Sequence, residues 1–167
     1  MLDKILLFIP AYCCEIQIAR VLGKFTPDMK NIFTEVLVID NRSTDKTVQN
    51  AIAAAKEVSK NTNINVKVIR NKENISLGGT HKVAFNYAIE KGFDYVCILH
   101  GDDQGNIEDL IKAIKTSRHK NLDYYLGGRF LPESKLNGYS NWRILGNKFF
   151  NLIFSFVVKR KLYDLGA

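Results

Sequence analysis

An α/β fold built on a mostly parallel sheet is predicted for this chain by three observations. Short apolar runs recur along its first two thirds, stretches of ten to fifteen residues with helical character separate them, and each run stops at turn-forming or polar residues. The first run, Lys4 to Ile9, is stopped by Pro10 and reads as a buried strand. A helix is expected from about Glu15 to Phe25. The run Glu35–Asp40 is a second buried strand that closes on an acid. Asn41 to Asp45 is turn chemistry with side chains suited to cap a helix, which is expected from about Asp45 to Ser59.

Asn65–Arg70 reads as a third strand. Asn71 to Gly79 reads as a polar, glycine-bearing loop that opens a helix from about Gly79 to Glu90. Asp94–His100 is a fourth strand, broken by Gly101-Asp-Asp-Gln-Gly105 and followed by a helix from Ile107 to about Arg118. Tyr124–Gly127 is expected to be a short strand. Asn141 to Lys161 has helical spacing, with Trp142, Leu145, Phe149, Leu152 and Phe156 on a broad apolar face. That helix is open to two uses, packing in a core or resting in a membrane interface with Lys159-Arg-Lys161 against anionic headgroups.

At 167 residues the chain is one domain long. Residues 1–105 are expected to form the ligand-binding part and 106–167 the start of a second part. The sequence stops at Leu165-Gly-Ala167 without a closing element, which predicts a fragment of a longer protein. Three scattered cysteines, Cys13, Cys14 and Cys97, neither make a disulfide framework nor offer zinc-ligand spacing, so a reducing, cytosolic compartment is expected. Cys13 and Cys14 read as small buried residues. No signal-peptide pattern and no run of about twenty apolar residues is present.

The formal charge of +7 favours anionic partners: nucleic acid, phosphorylated small molecules or an anionic membrane face. Nucleic acid is not expected, because no helix-turn-helix, zinc-finger or aromatic RNA-binding signature accompanies the charge.

Parallel sheets bind ligands at the carboxyl ends of their strands, so the residues there carry the chemistry. Asp102 and Asp103 follow an apolar strand, and adjacent carboxylates repel unless hydrated, hydrogen-bonded or bridged by a cation. Oxygen ligands on a tight turn suit Mg²⁺ or Mn²⁺, which take one or two protein carboxylates plus phosphate oxygens. Asp40 ends another strand, Lys82 lies just past Gly78-Gly79, and Arg129 follows Gly127-Gly128. Acids for a metal and cations for phosphate on one sheet edge fit a metal–diphosphate ligand. Asp40, Asp102 and Lys82 are therefore expected around one shared cavity. The first strand is followed by Pro10-Ala-Tyr-Cys-Cys-Glu15, which lacks the G-x-G-x-x-G of dinucleotide binding, and no G-x-x-x-x-G-K-[ST] phosphate loop occurs.

Four segments occur in an order that resembles the family two inverting glycosyltransferases: Ile9–Glu15, Val38-Ile-Asp-Asn-Arg-Ser-Thr-Asp-Lys-Thr47, Asn74-Ile-Ser-Leu-Gly-Gly79 and His100-Gly-Asp-Asp-Gln104. Within that family the chain is most similar to the dolichol-phosphate or polyprenyl-phosphate sugar synthases. The resemblance implies the GT-A fold, a Rossmann-like, mostly parallel sheet flanked by helices, here truncated at the C-terminus. It implies that Pro10, Ala11, Tyr12 and Glu15 hold the base and ribose of a nucleoside-diphosphate sugar and that Asp40 reads the base edge. It places Gly78, Gly79 and Lys82 at the diphosphate, and Asp102, Asp103 and Gln104 in the D-x-D region that binds Mg²⁺ or Mn²⁺.

Asp102 and Arg129 are the implied catalytic residues, with Arg129 directed at acceptor or donor phosphate. Asp164-Leu-Gly166 resembles the start of a later acidic motif in the acceptor region. His100 stands where the first acid of D-x-D usually sits, and it reads as a strand-end histidine with a hydrogen bond.

The function so implied is metal-dependent, inverting transfer of a sugar to a polyprenyl or dolichyl phosphate. A saccharide-hydroxyl acceptor in cell-surface polysaccharide synthesis and a catalytically silent nucleotide-sugar-binding domain are the alternatives. A cytoplasmic position at the inner membrane face, held by segments beyond Ala167, is the expected location.

Overall fold

The structure, a computed structural model, describes residues 3–131, 134 and 140–164. It falls into two compact units, Met1–Ser117 and Arg118–Ala167. The first contains β1 (Ile5–Ala11), α1 (Gln17–Gly23), a 3₁₀ turn at Pro27–Asn31, β2 (Glu35–Asp40), α2 (Thr47–Thr62), β3 (Val66–Arg70), α3 (Ser76–Lys91), β4 (Tyr95–Ile98) and α4 (Ile107–Lys115). The second holds α5 (Asn141–Val158). The four strands form one sheet in the order β3-β2-β1-β4, and every neighbouring pair is parallel. This is the α/β architecture that alternating apolar runs and helices predict.

All seven residues of β1 are buried, because both faces of the sheet are covered. Alternation along the strand divides them. Ile5, Leu7 and Ile9 face a core shared with Ile18 and Leu22 of α1, Ala51 and Val58 of α2, and Ile107 and Ile111 of α4. Leu6 and Phe8 face the other side, with Leu37, Ile39 and Ala84 and Ala88 of α3. Each large side chain taken fully from water contributes about 1.5–3 kcal/mol, so a continuously apolar strand is the natural centre of the sheet.

The register brings three chain ends into one row. Ala11 pairs with Asp40, and Asp40 with Arg70. The backbone continues the pairing: Asn41 N–H donates to Ala11 C=O at 2.8 Å and Asn71 N–H to Asp40 C=O at 2.9 Å. Beyond β4 the chain stays against β1, with Gly101 N–H donating to Pro10 C=O at 3.0 Å. A side chain at Gly101 would place its Cβ 3.0 Å from that same carbonyl oxygen, so the close approach needs glycine.

Two expected elements differ. The helix expected from Gly79 begins at Ser76, so Gly78 and Gly79 lie inside its first turn and not in a loop. Asparagine side chains from two loops accept the amides that open it: Ile75 N–H donates to Asn41 Oδ1 at 3.1 Å and Ser76 N–H to Asn74 Oδ1 at 2.9 Å. The short strand expected at Tyr124–Gly127 does not form; its unit has no partner strand among the described residues, and a lone strand leaves its backbone unpaired. Smaller shifts occur at helix ends. Left-handed residues terminate helices at Asn63 and Lys159, and the last of these stops α5 at Val158.

Candidate functional site

A cavity of about 330 Å³ opens at the carboxyl ends of β1, β2 and β4. Pro10, Ala11 and Tyr12 line one wall as the end of β1, and His100, Gly101 and Asp102 line another beside it. Cys14, Asn41 from the turn after β2, and Asn74, Ser76, Leu77 and Thr80 from the opening of α3 complete it. The lining therefore comes from segments far apart in sequence, brought together by the parallel register.

An amide network shapes the side formed by Asn41 and Asn74. Asn41 Nδ2 donates to Asn74 Oδ1 at 2.9 Å, and Asn71 Nδ2 donates to Asn41 Oδ1 at 3.0 Å. Asn41 is only 6% exposed, and each amide oxygen also accepts a backbone N–H of the α3 entrance. The network fixes both the loop geometry and the direction in which the first turn of α3 presents its amides. With the Ile75 and Ser76 amides taken by the asparagines, the amides left at this entrance for an anionic oxygen begin with that of Leu77, a cavity-lining residue.

Among the expected site residues, Pro10, Ala11, Tyr12 and Asp102 line this cavity, while Asp40, Glu15, Gly78, Gly79, Lys82, Asp103 and Gln104 do not. Asp40 is fully buried beneath it. Its Oδ2 lies 2.9 Å from Arg70 Nε, and the Ser43 amide donates to the carboxylate at 3.3 Å. Arg70 Nη2 also donates to Ser43 C=O at 2.6 Å, so acid and arginine lock the turn after β2. The shared cavity expected for Asp40, Asp102 and Lys82 is thus lined by Asp102 alone of the three, because Asp40 points into the protein and Lys82 projects from the exposed surface of α3.

Glu15 sits at the start of α2 instead. Its Oε2 accepts the Lys46 amide at 2.9 Å, its own amide donates to Asp45 Oδ2 at 3.3 Å, and its carbonyl accepts from Asn50 Nδ2 at 2.8 Å. The neighbouring cysteines serve the same junction. Cys13 N–H donates to Ser43 Oγ at 2.9 Å and Cys14 N–H to Thr47 Oγ1 at 2.8 Å. Cys14 is buried as expected, and burial pushes its thiol up; Cys13 is exposed, contrary to expectation, because its left-handed backbone (φ 48°) turns its side chain outward.

Asp102 and Asp103 are separated by backbone geometry. Asp103 adopts φ 64°, and both its oxygens are taken from the side of α1: Oδ2 lies 2.9 Å from Arg20 Nε and Oδ1 2.6 Å from Lys24 Nζ. Hydrogen bonds from Lys24 and then Arg20 hold its carboxyl below the ordinary carboxylate value. Asp102 remains exposed at the cavity, and its Oδ1 accepts the Gln104 amide at 3.1 Å. The acid pair thus has one member tying the turn to α1 and one facing the cavity.

Asp103→Asn is expected to lower stability by less than about 1 kcal/mol near neutral pH, since both cations are solvent-exposed. The sign follows from the lowered value. The contribution is present above the unfolded carboxylate value and disappears as pH falls through the lower folded one. Urea melts at about pH 7 and about pH 2.5 should therefore show a wild-type–variant difference that shrinks on acidification, and a difference independent of pH would refute this assignment.

The donor set bears on a divalent ion. No cluster of three or more His, Cys, Asp or Glu side chains suited to a metal occurs among the described residues. Mg²⁺ and Mn²⁺ nevertheless need only one or two protein carboxylates when phosphate oxygens complete the shell. Asp102 fits that role, whereas Asp103, with both oxygens engaged, does not; Gln104 is exposed beside them. His100 is exposed at the rim and makes no hydrogen bond among the described residues. Its ring lies 6.4 Å from that of His81, whose Nδ1 is 2.8 Å from Leu77 C=O.

In the second unit Arg129 is clamped. Its Nε and Nη2 each approach Asp164 carboxylate oxygens at 2.7 Å, and its amide donates to Asp164 Oδ2 at 2.9 Å. The Asp164 side chain is 2% exposed. The arginine and the acidic motif that the sequence singles out separately are therefore one bidentate pair, the strong geometry for guanidinium and carboxylate. Leu165 and Gly166, the rest of that motif, lie outside the described residues.

Asn41, Asn74, Thr80 and Arg70 are the structural participants that sequence reasoning missed. The asparagines read as ordinary turn formers, and only the register of β2 against β3 reveals Arg70 as the partner of Asp40.

A parallel sheet with a cavity at the carboxyl ends of its strands, walled by an exposed carboxylate and a helix entrance, has the place where α/β domains bind their ligands. The chain belongs to glycosyl transferase family 2, whose profile it matches over residues 7–165. Among curated proteins it is similar to an undecaprenyl-phosphate mannosyltransferase of Micrococcus luteus, with 26% identity over 139 residues, covering 83% of this chain and 52% of that protein. The chain thus spans about half the length of this curated relative. Similar solved structures include glucosyl-3-phosphoglycerate synthase from Mycobacterium tuberculosis in complex with Mn²⁺, UDP and phosphoglyceric acid, at TM-score 0.45 and 20% identity over 59% of this chain and 33% of that one. Another is S. aureus TarS 1–349 in complex with UDP, at TM-score 0.46 and 20% identity over 76% and 39% of the two chains.

Proposed function

We propose that this family 2 chain is the donor-binding part of a metal-dependent, inverting glycosyltransferase that moves a sugar from a nucleoside diphosphate to a polyprenyl phosphate at a membrane face. The observation that carries the reading is the single carboxylate among the residues lining the cavity, Asp102, which shares that cavity with the opening turn of α3. The M. luteus relative, named for transfer to undecaprenyl phosphate, supports the choice of acceptor.

In this reading Pro10, Ala11 and Tyr12 hold the base and ribose, the α3 entrance receives diphosphate oxygens, and Asp102 anchors the ion. A bound Mg²⁺ or Mn²⁺ supplies positive charge that stabilises the departing diphosphate. Transfer to a sugar hydroxyl would need a second carboxylate as general base. Among the residues lining the cavity Asp102 is the one carboxylate, and it cannot both hold a cation and accept a proton. A lipid phosphate is already anionic and needs no base. It needs a cation instead, the role that the family resemblance gives to Arg129, which within its own unit is paired with Asp164.

The test is transfer by the whole natural protein from labelled nucleoside-diphosphate sugars to polyprenyl phosphate in detergent. The expected product extracts into organic solvent, carries an inverted anomeric linkage, and is not formed in the presence of EDTA. A product that is only water-soluble, or transfer undiminished by EDTA, would overturn the proposal.

A further inference from the structure

Among the described residues no lysine or arginine lines the cavity at the strand ends, and Asp102 is its one carboxylate. A ligand rich in oxygen atoms must therefore be met there largely by uncharged hydrogen-bond donors. The asparagine network on the α3 side shows where such donors are, because the backbone fixes its polarity. A peptide N–H can only donate. The Ile75 amide therefore identifies the atom of Asn41 that it meets at 3.1 Å as the oxygen, and the Ser76 amide does the same for Asn74 at 2.9 Å.

The remaining bonds follow from those two. Asn41 Oδ1 also accepts from Asn71 Nδ2 at 3.0 Å, and Asn74 Oδ1 also accepts from Asn41 Nδ2 at 2.9 Å. A carboxamide oxygen has two lone pairs, so both oxygens are filled. Asn71 Nδ2 directs its second hydrogen to Thr80 Oγ1 at 3.2 Å, and the Thr80 hydroxyl donates in turn to Ser76 C=O at 3.0 Å. What the two cavity-lining asparagines have left is hydrogen-bond donors alone: one hydrogen of Asn41 Nδ2, and both hydrogens of Asn74 Nδ2, which meet no partner among the described residues. Asn41 is buried, whereas Asn74 is exposed. Asn74 is thus the side chain that a ligand can reach, and the two bonds to its oxygen hold it in place before one arrives. Little side-chain freedom is lost on binding.

We propose that Asn74 is a specificity-determining residue, whose Nδ2 donates to an oxygen of the nucleoside-diphosphate sugar, either a carbonyl oxygen of the base or an oxygen of the diphosphate. The two sources share one chemistry, an acceptor oxygen that carries no hydrogen. An amino group set against this wall finds no open lone pair on either asparagine oxygen, and leaving its N–H groups unpaired is a strong ground for discrimination. This inference rests on the sugar-donor-binding part of the proposed function and is independent of the acceptor.

The test is calorimetry on the whole natural protein with Mn²⁺, titrating UDP, CDP, GDP and ADP into wild type, Asn74→Asp and Asn74→Ser, at a temperature where circular dichroism shows all three folded. Asn74→Asp keeps an oxygen for the Ser76 amide and for Asn41 Nδ2 but turns the free donor into an acceptor. Asn74→Ser removes the carboxamide without adding charge, and its hydroxyl can still accept the Ser76 amide. Both variants are expected to weaken binding of the preferred nucleotide by about tenfold or more. Uracil and guanine carry a carbonyl where cytosine and adenine carry an amino group. With the contact at the base, wild type prefers UDP to CDP or GDP to ADP, and Asn74→Asp shrinks or reverses that preference. With the contact at the diphosphate, every nucleotide loses affinity by a similar factor. Loss of less than about threefold in Asn74→Ser would overturn the proposal, whatever the added charge does in Asn74→Asp, because Asn74 would then only cap the helix entrance. A wild type that binds none of these nucleotides would overturn the sugar-donor-binding reading as well, so the two failures are distinguishable.

Discussion

Asp102→Asn is expected to reduce sugar transfer by about 10²–10³-fold while leaving the melting temperature almost unchanged. Asp102 is exposed, and its known bond within the molecule, from the Gln104 amide to Oδ1, can be accepted equally by an asparagine carbonyl oxygen. The substitution therefore preserves the turn and removes the charge. In the proposed reaction what would be lost is the anchor for a divalent ion beside the diphosphate, an interaction that would strengthen as negative charge develops on the leaving group. The measurements are kcat/KM for transfer by the whole protein and the Mn²⁺ dependence of nucleoside-diphosphate binding. Retention of transfer within about tenfold would remove Asp102 from the mechanism. Asp103→Asn is the control, because both its oxygens are committed to Arg20 and Lys24 and it should leave metal dependence intact.

Arg70→Met should produce the largest loss of stability among the substitutions considered. Asp40 is fully buried and its carboxylate is balanced by Arg70, with the Ser43 amide as a second donor at 3.3 Å. Removing one partner of a buried pair leaves an uncompensated charge, typically at about 3–5 kcal/mol. The Arg70 side chain is 39% exposed, which already screens the pair and places the expected loss near about 3 kcal/mol. In a chain of this size that corresponds to a melting-temperature drop of about 6–12 °C. Adding Asp40→Asn should restore part of the loss, because the stranded charge is then gone. A drop of less than about 0.5 kcal/mol in urea melts would show that the turn after β2 is held by other contacts.

Particular residues show what was legible before folding and what was not. β1 and β2 were legible because they are buried on both faces, and such strands are continuously apolar in any sequence that forms them. The entrance to α3 was misplaced by three residues because its caps are supplied by Asn41 and Asn74, which belong to loops and carry no local helix signal. Asp40 was visible as an acid at a strand end, but its burial was not, because burial depends on an arginine thirty positions away in the neighbouring strand. Glu15 was singled out by its match to the family's first nucleotide-binding loop. Only contact with the Lys46 amide shows that it opens α2.

The amino-acid sequence by itself determined the parallel α/β sheet, the family and the acidic turn after β4, since these follow from local hydrophobic pattern and from short ordered motifs. Tertiary structure alone decided which acid of that turn faces the cavity. Asp102 and Asp103 are chemically identical, and a left-handed backbone with two cations on α1 draws one of them aside. It also decided that the cationic tail after α5 returns along an exposed apolar helix, because that reversal depends on side-chain bonds from Asn151 and Ser155 that no periodicity reveals.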